Sequence, residues 1–359
     1  MNILHLANTV DPRSGWGRLS REVITRLIER GHKIDLLTEV ASGDPTEQPI
    51  LKRSWRALLG LGEIRRHIKK NDLVHSWEAN PYGIVGYLAG IGLKKPKIII
   101  ATGAYSIQPL YNRNTSAILK KTYRDADRIV CISKYIEDEI KRVVPEAKTE
   151  VVTLGVDFNR FSGERHVAKE RFILGVGNVG SRKGYQVSIP AFAEVAKRIP
   201  DIKYYIAGII ENELYPKLQA QIKELGLENR VVFLGSLDDA KLKELYLSAE
   251  LFILTSVNLH HHFEGFGLVF LEAASAGLPV IGTTGNGIRD AINEGKNGLL
   301  VPQYDEHATA EAIIRILENP ELKQQFGLES IAWAKQNSWD HTVDQYTRIY
   351  DEVLKKYAA

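Results

Sequence analysis

The chain has one cysteine and one methionine in 359 residues. It has no apolar run of membrane-spanning length and no block of lysine and arginine long enough to form a tail. A lone cysteine excludes an intrachain disulfide. It lies in the apolar run Ile129-Val130-Cys131-Ile132 and reads as a buried core thiol suited to a reducing compartment. The 47 basic and 44 acidic residues leave a formal charge of +3, too even a balance to make nucleic acid a partner. The opening Asn2-Ile3-Leu4-His5-Leu6 reads as a strand and not as a secretory leader, so a cytoplasmic location is expected. Scarce methionine beside abundant Lys, Glu and Ile is a bias of heat-adapted proteins.

What is present is alternation. Short apolar runs are separated by helical periodicity from end to end, the pattern of parallel sheets with crossover helices. Strands are expected at 3–7, 33–38, 73–75, 97–101, 128–132 and 151–154, then at 172–177, 203–207, 231–234, 251–255, 280–282 and 299–301. A chain of this length exceeds one ordinary core. The fold class expected is therefore α/β, with two Rossmann-like, doubly wound parallel-sheet domains facing a cleft, and ligands at the strand C-termini. The expected division is 1–162, 163–340 and a closing helix at 341–359, with the polar stretch Ser162 to Glu170 as hinge. In the closing helix Val343, Tyr346, Ile349, Tyr350 and Val353 fall at helical spacing and read as a packed face.

The richest local signal is Glu264-Gly265-Phe266-Gly267 opening a helix that runs to about Ala276, with Gly277 as a left-handed cap and Pro279 barring continuation. Two glycines at a helix N-terminus admit a phosphate to free N–H groups. Glu264 stands at the mouth and Glu272 about two turns in. Carboxylates accept hydrogen bonds only, so the pair suits hydroxyl-bearing groups on either side of a phosphate.

This segment resembles the two-glutamate signature, EGFGLVFLE here, of the retaining glycosyltransferases of family four. The run Gly285-Asn286-Gly287 and the strand Gly298-Leu299-Leu300-Val301-Pro302 resemble its continuation, and Gly155-Val156-Asp157 and Ser338-Trp339-Asp340 resemble landmarks of the same family. The resemblance implies a GT-B fold with an acceptor-side N-terminal domain, a donor domain after it, and a last helix returning to the first. It implies retaining transfer from a UDP- or GDP-sugar to an acceptor hydroxyl, with no cofactor and no metal. Glu264 would then hold the donor sugar and Glu272 the ribose. Lys183, with Arg182, and the amides of Gly265, Phe266, Gly267 and Leu268 would take the diphosphate. Gly15 and Gly17 resemble the first-domain glycine loop, and the backbone at Gly235 and Leu237 corresponds to the loop facing the nucleobase. Asn178 stands where the family usually has an arginine.

Gly175-Val176-Gly177-Asn178-Val179-Gly180 also matches the dinucleotide fingerprint, but the acidic residue that should end the next strand is absent, since Asp201 precedes that strand. The histidine many family members carry after the fourth strand is replaced by Ala101-Thr102-Gly103-Ala104-Tyr105, leaving Thr102 or Tyr105 as sugar contacts, or none. His75 has a structural and a cleft-facing reading. His260-His261-His262 is a poor metal set, because consecutive side chains diverge. The basic segment Leu51 to Lys70, around Trp55, Leu58, Leu59, Ile64 and Ile68, reads either as a crossover helix or as a peripheral contact with the inner face of a membrane. Acceptors expected are carbohydrate, lipid-linked or small molecules. A sugar-nucleotide epimerase and a noncatalytic sugar-nucleotide binder are the alternatives.

Overall fold

The structure, a computed structural model, describes residues 1–210 and 213–358, with the side chains of 54, 55 and 358 outside the described set. It divides into two compact units, Met1–Leu154 with the segment from Trp339, and Gly155–Ser338. The division thus falls at 154/155 and 338/339 and not at 162/163 and 340/341.

The strands of the first unit are β1 (Asn2–Ala7), β2 (Lys33–Thr38), β3 (Glu47–Gln48), β4 (Leu73–Trp77), β5 (Lys97–Ala101), β6 (Arg128–Cys131) and β7 (Thr149–Val151). They form one parallel sheet in the order β3-β2-β1-β4-β5-β6-β7. Helices cover both faces of such a sheet, so its central strands read as near-continuous apolar runs. β3 is two polar residues long at an edge and shows no such signal. Cys131 is buried at the end of β6.

Polar residues intrude on the central strands. His5 and His75 face each other across β1 and β4, fully buried. Trp77 Nε1 donates to His5 Nδ1 at 3.0 Å, and His75 Nδ1 pairs with the Tyr350 hydroxyl. Tyr350 belongs to the final helix, Trp339–Ala358, where Val343, Tyr346, Ile349, Tyr350 and Val353 are all fully buried. His75 is therefore a core residue inside a strand, and its cleft-facing reading fails.

The second unit has β8 (Phe172–Val176), β9 (Lys203–Ala207), β10 (Val231–Gly235), β11 (Leu251–Ile253), β12 (Val280–Thr283) and β13 (Gly298–Val301). They are parallel in the order β10-β9-β8-β11-β12-β13. Each sheet starts in its middle, runs to one edge, then returns to the other side. The reversal lies between β1 and β4 in one unit and between β8 and β11 in the other, and crevices outside such reversals are where open α/β sheets bind ligands.

The polar stretch Ser162 to Glu170 is not a free linker. Arg165 is tied to the second unit through the carbonyls of Tyr246, Ala276 at 3.1 Å and Ala249, and His166 N donates to Leu247 O at 3.1 Å. The guanidinium satisfies carbonyls left at helix ends, which anchors the segment and removes it as a hinge. Of the basic segment, 54–60 is a 3-10 helix and Leu61–Lys70 an α-helix whose Ile64 and Ile68 join the first unit's core. That helix is a crossover; Leu58 and Leu59 before it are exposed. No helix among the described residues is long and apolar enough to cross a membrane.

Candidate active site

In the second unit, β8 ends at Val176 and the chain bends through Gly177 and the exposed Asn178 into a 3-10 turn, Ser181–Lys183, before the helix Tyr185–Arg198. A dinucleotide fingerprint opens its helix at the last glycine; here the helix begins past it, at Tyr185. The pivot is Gly184, at φ +74, where a Cβ would lie 1.8 Å from Thr255 O. Only glycine meets both conditions. The turn delivers Arg182 and Lys183 to the C-terminal end of β11.

There they meet Glu264. Lys183 Nζ donates to Glu264 Oε2 at 2.6 Å and Arg182 Nη1 to the same oxygen at 2.8 Å, with Ser256 Oγ at 3.4 Å. Arg182 also reaches Phe263 O at 3.3 Å. Burial alone would raise the Glu264 carboxyl, but the two cationic charges and their hydrogen bonds outweigh it and hold it down at about 2. Three charged groups assigned to one site from the sequence are thus brought together.

Glu264 leads into the helix Leu268–Ser275 through Gly267, which is left-handed at φ +87 and has no room for a Cβ beside the Phe270 ring. Phe266 is buried in the core. The first-turn amides of this helix have no carbonyl of their own helix to bind. Glu272 is buried on the second turn and accepts from the Tyr246 hydroxyl at 3.2 Å. Gly277 caps the helix at φ +71. Gly235, at φ +70, closes β10 and accepts from Gly208 N at 2.8 Å, with Leu237 half-buried beyond it. His260, at φ +55, belongs to a tight turn closed by mutual Leu259–His262 backbone bonds of 2.8 and 3.0 Å.

In the first unit, the helix after β1 begins at Gly15, where Ser14 Oγ accepts from Gly17 N at 3.0 Å and acts as its cap. Gly17 is required by the chain itself, since a Cβ would lie 2.1 Å from Asp11 O; Gly15 stands in open space. Thr102 is engaged by Glu78, a residue the sequence reading missed.

β4 runs two residues further than its expected end at His75, which puts Glu78 at its C-terminus. Glu78 is buried at 2% exposure, with Thr102 and Ser106 hydroxyls donating one to each carboxylate oxygen. Its φ of +83 is costly for a side chain with a Cβ, on the order of 1–3 kcal/mol. Burial pushes its carboxyl up to about 7, against the opposing hydrogen bonds of Ser106 and Thr102. A carboxyl ending a strand at the sheet reversal was the available signal.

Residues 13–160 match the family described as Glycosyltransferase Family 4, and residues 157–333 the family of Glycosyl transferases group 1. A D-inositol 3-phosphate glycosyltransferase of Corynebacterium urealyticum is 32% identical, over 98% of this chain and 90% of its own. A GDP-mannose-dependent alpha-(1-6)-phosphatidylinositol monomannoside mannosyltransferase of Mycolicibacterium smegmatis is 26% identical over 76% and 75%. Among solved structures, Anabaena HepE in complex with UDP superposes with a TM-score of 0.83 at 19% identity, covering 98% of this chain and all of that one. With the strand order of both units and matches along nearly the whole length, the chain belongs to the family-four glycosyltransferases, of GT-B fold.

Proposed function

We propose that the chain transfers a sugar from a UDP- or GDP-sugar to an acceptor hydroxyl, with retention and without a metal. The observation that carries this reading is the convergence of Lys183 and Arg182 on one oxygen of Glu264, beside the helix start at Gly267. Breaking the bond between the anomeric carbon and the diphosphate leaves negative charge on the phosphate oxygens. Two cations and the amides of Gly265 to Leu268 supply the positive field at that point, the work otherwise done by a metal. Glu264 fixes both cations before a ligand arrives, so little reorganisation accompanies charge development.

Glu264 then receives the sugar hydroxyls and Glu272 the ribose hydroxyls, while the backbone near Gly235 and Leu237 faces the base. Asn178 completes the donor contacts of the second unit. In front-face attack the leaving phosphate takes the acceptor's proton, and no side-chain base is needed. Names of relatives that specify GDP-mannose and UDP support a nucleotide diphosphate donor of either base. The exposed Leu58 and Leu59, near Lys52 and Arg56, suit peripheral contact with an anionic membrane face. A sugar-nucleotide epimerase is the second reading, favoured by the carboxyl of Glu78; it would change the sugar of its nucleotide with no acceptor present.

Calorimetry of UDP, GDP, ADP and NAD with the wild type and Glu272→Ala tests the site. One nucleoside diphosphate should bind, and the variant should bind it at least tenfold more weakly, about 1.4 kcal/mol. Binding of NAD alone, or equal nucleotide binding by the variant, overturns it.

A further inference from the structure

The first unit carries its own pocket, of about 800 Å³, at the reversal between β1 and β4, with Asn8 after one strand and Glu78 after the other. That volume is ample for a small organic ligand. Part of its polar wall is already engaged. Asn8 Nδ2 donates to the Tyr82 hydroxyl at 3.1 Å, Tyr82 donates to Glu39 at 2.6 Å, and Arg53 pairs with Glu39 at 2.5 Å. Beside Asn80, Asn114 and Thr115, the surface left over is mostly apolar, with Leu58, Ile84, Val85, Leu88 and Ile118 in the walls.

Trp16 and Tyr105 also line it, half-exposed and edge to face at 5.6 Å. Large apolar groups in water at the rim of a concave site mark a surface that is covered in use. Glu78 sets one carboxylate among them. Each of its oxygens already accepts a hydroxyl and keeps a second lone pair, so the group can receive a donor and cannot serve as one when ionised. Its left-handed backbone places it there at a conformational cost, and strain of that kind collects at ligand sites.

We propose that this pocket binds a hydroxyl compound by an apolar body, hydrocarbon or aromatic, with the hydroxyl donating to Glu78. Calling that compound the acceptor rests on the transferase reading; the binding itself does not. The apolar walls favour such a body over a free sugar or sugar phosphate, whose hydroxyls would be buried against carbon.

The test uses the full chain with n-octyl β-D-glucoside below its micelle-forming concentration and methyl β-D-glucoside, which has the same head without the chain. Binding is read by calorimetry, with UDP and GDP binding as a separate measurement on the same proteins. The octyl compound should bind saturably and at least tenfold more tightly than the methyl one. Ile118→Trp, which fills the pocket, and Leu58→Glu, at the exposed rim, should each weaken it at least fivefold, and Glu78→Gln at least threefold. None of the three should change nucleotide binding. Equal affinity for the two glucosides, non-saturable uptake, or undiminished octyl binding by the pocket variants overturns the proposal. Undiminished binding by Glu78→Gln alone removes Glu78 from it. Octyl binding without any nucleotide binding keeps the pocket and sinks the transferase reading instead.

Discussion

Glu78→Gln should stabilise the protein in mildly alkaline solution and leave it almost unchanged in acid. The side chain is buried and its carboxyl titrates at about 7 in the folded state, against 4.5 for an ordinary glutamate. The folded state therefore binds the proton more tightly than the unfolded chain. Between these values the native protein carries more protons than the unfolded one, so stability falls as pH rises through the window. Below 4.5 both states are protonated and the penalty vanishes; above 7 it is complete. At about 1.36 kcal/mol for each pH unit separating the two titrations, the full penalty is about 3 kcal/mol, of which roughly 2.5 kcal/mol accrues between pH 5 and pH 8. Glutamine is neutral throughout, and the Thr102 and Ser106 hydroxyls can turn to suit an amide. Urea unfolding of both proteins at pH 5 and pH 8 measures the difference. The advantage of the variant should grow by roughly 2–3 kcal/mol between the two pH values. An advantage that does not change with pH refutes the raised carboxyl and the burial argument behind it. A variant more stable yet poorer in ligand binding would mark Glu78 as a residue kept for function at the expense of stability.

Three further outcomes follow from the geometry. Gly184→Ala meets both a left-handed backbone and the Thr255 carbonyl, and should cost at least about 3 kcal/mol, read as a lower urea midpoint and loss of nucleotide binding; a midpoint within error of the wild type contradicts the close approach. Lys183→Ala leaves Glu264 facing Arg182 alone and should lower turnover of the nucleotide sugar by about 10²-fold with nucleotide binding weakened as well; turnover within a factor of three of wild type removes the lysine from the leaving-group site. His5 and His75 are held neutral chiefly by burial, His5 down to about 3, so their ring resonances in NMR should stay fixed from pH 8 to pH 5. The unfolded chain binds these protons below about pH 6.5, so both histidines make stability fall as pH drops from there; a ring titrating near its ordinary value contradicts the packing.

Local signals carried most of the element positions. β2, β5 and β9 lie where their apolar runs lie, and the buried face of the last helix is the one its spacing gives. Strand ends were less legible. β4 passes through Ser76 and Trp77, polar or bulky residues that look like a strand's end until the sheet buries them, and that extension hid Glu78. The stretch Ser162 to Glu170 is polar, and polarity alone looks like a linker. Arg165 instead finds carbonyls on three other segments, a matter of distance in space.

Residues near one another along the chain were enough to specify the alternating α/β pattern, the glycine-opened helix at Leu268 and the family the chain resembles, because propensity, periodicity and capping act within a few residues. It took the folded arrangement to bring Lys183 and Arg182, 81 and 82 residues from Glu264, onto one of its oxygens. The same arrangement makes Gly184 obligatory, since the obstructing carbonyl belongs to Thr255 on another strand's exit. It also set a strained, buried carboxyl at the sheet reversal of the first unit. Coulomb forces, steric exclusion and desolvation depend on separation in space, and separation along the chain does not encode it.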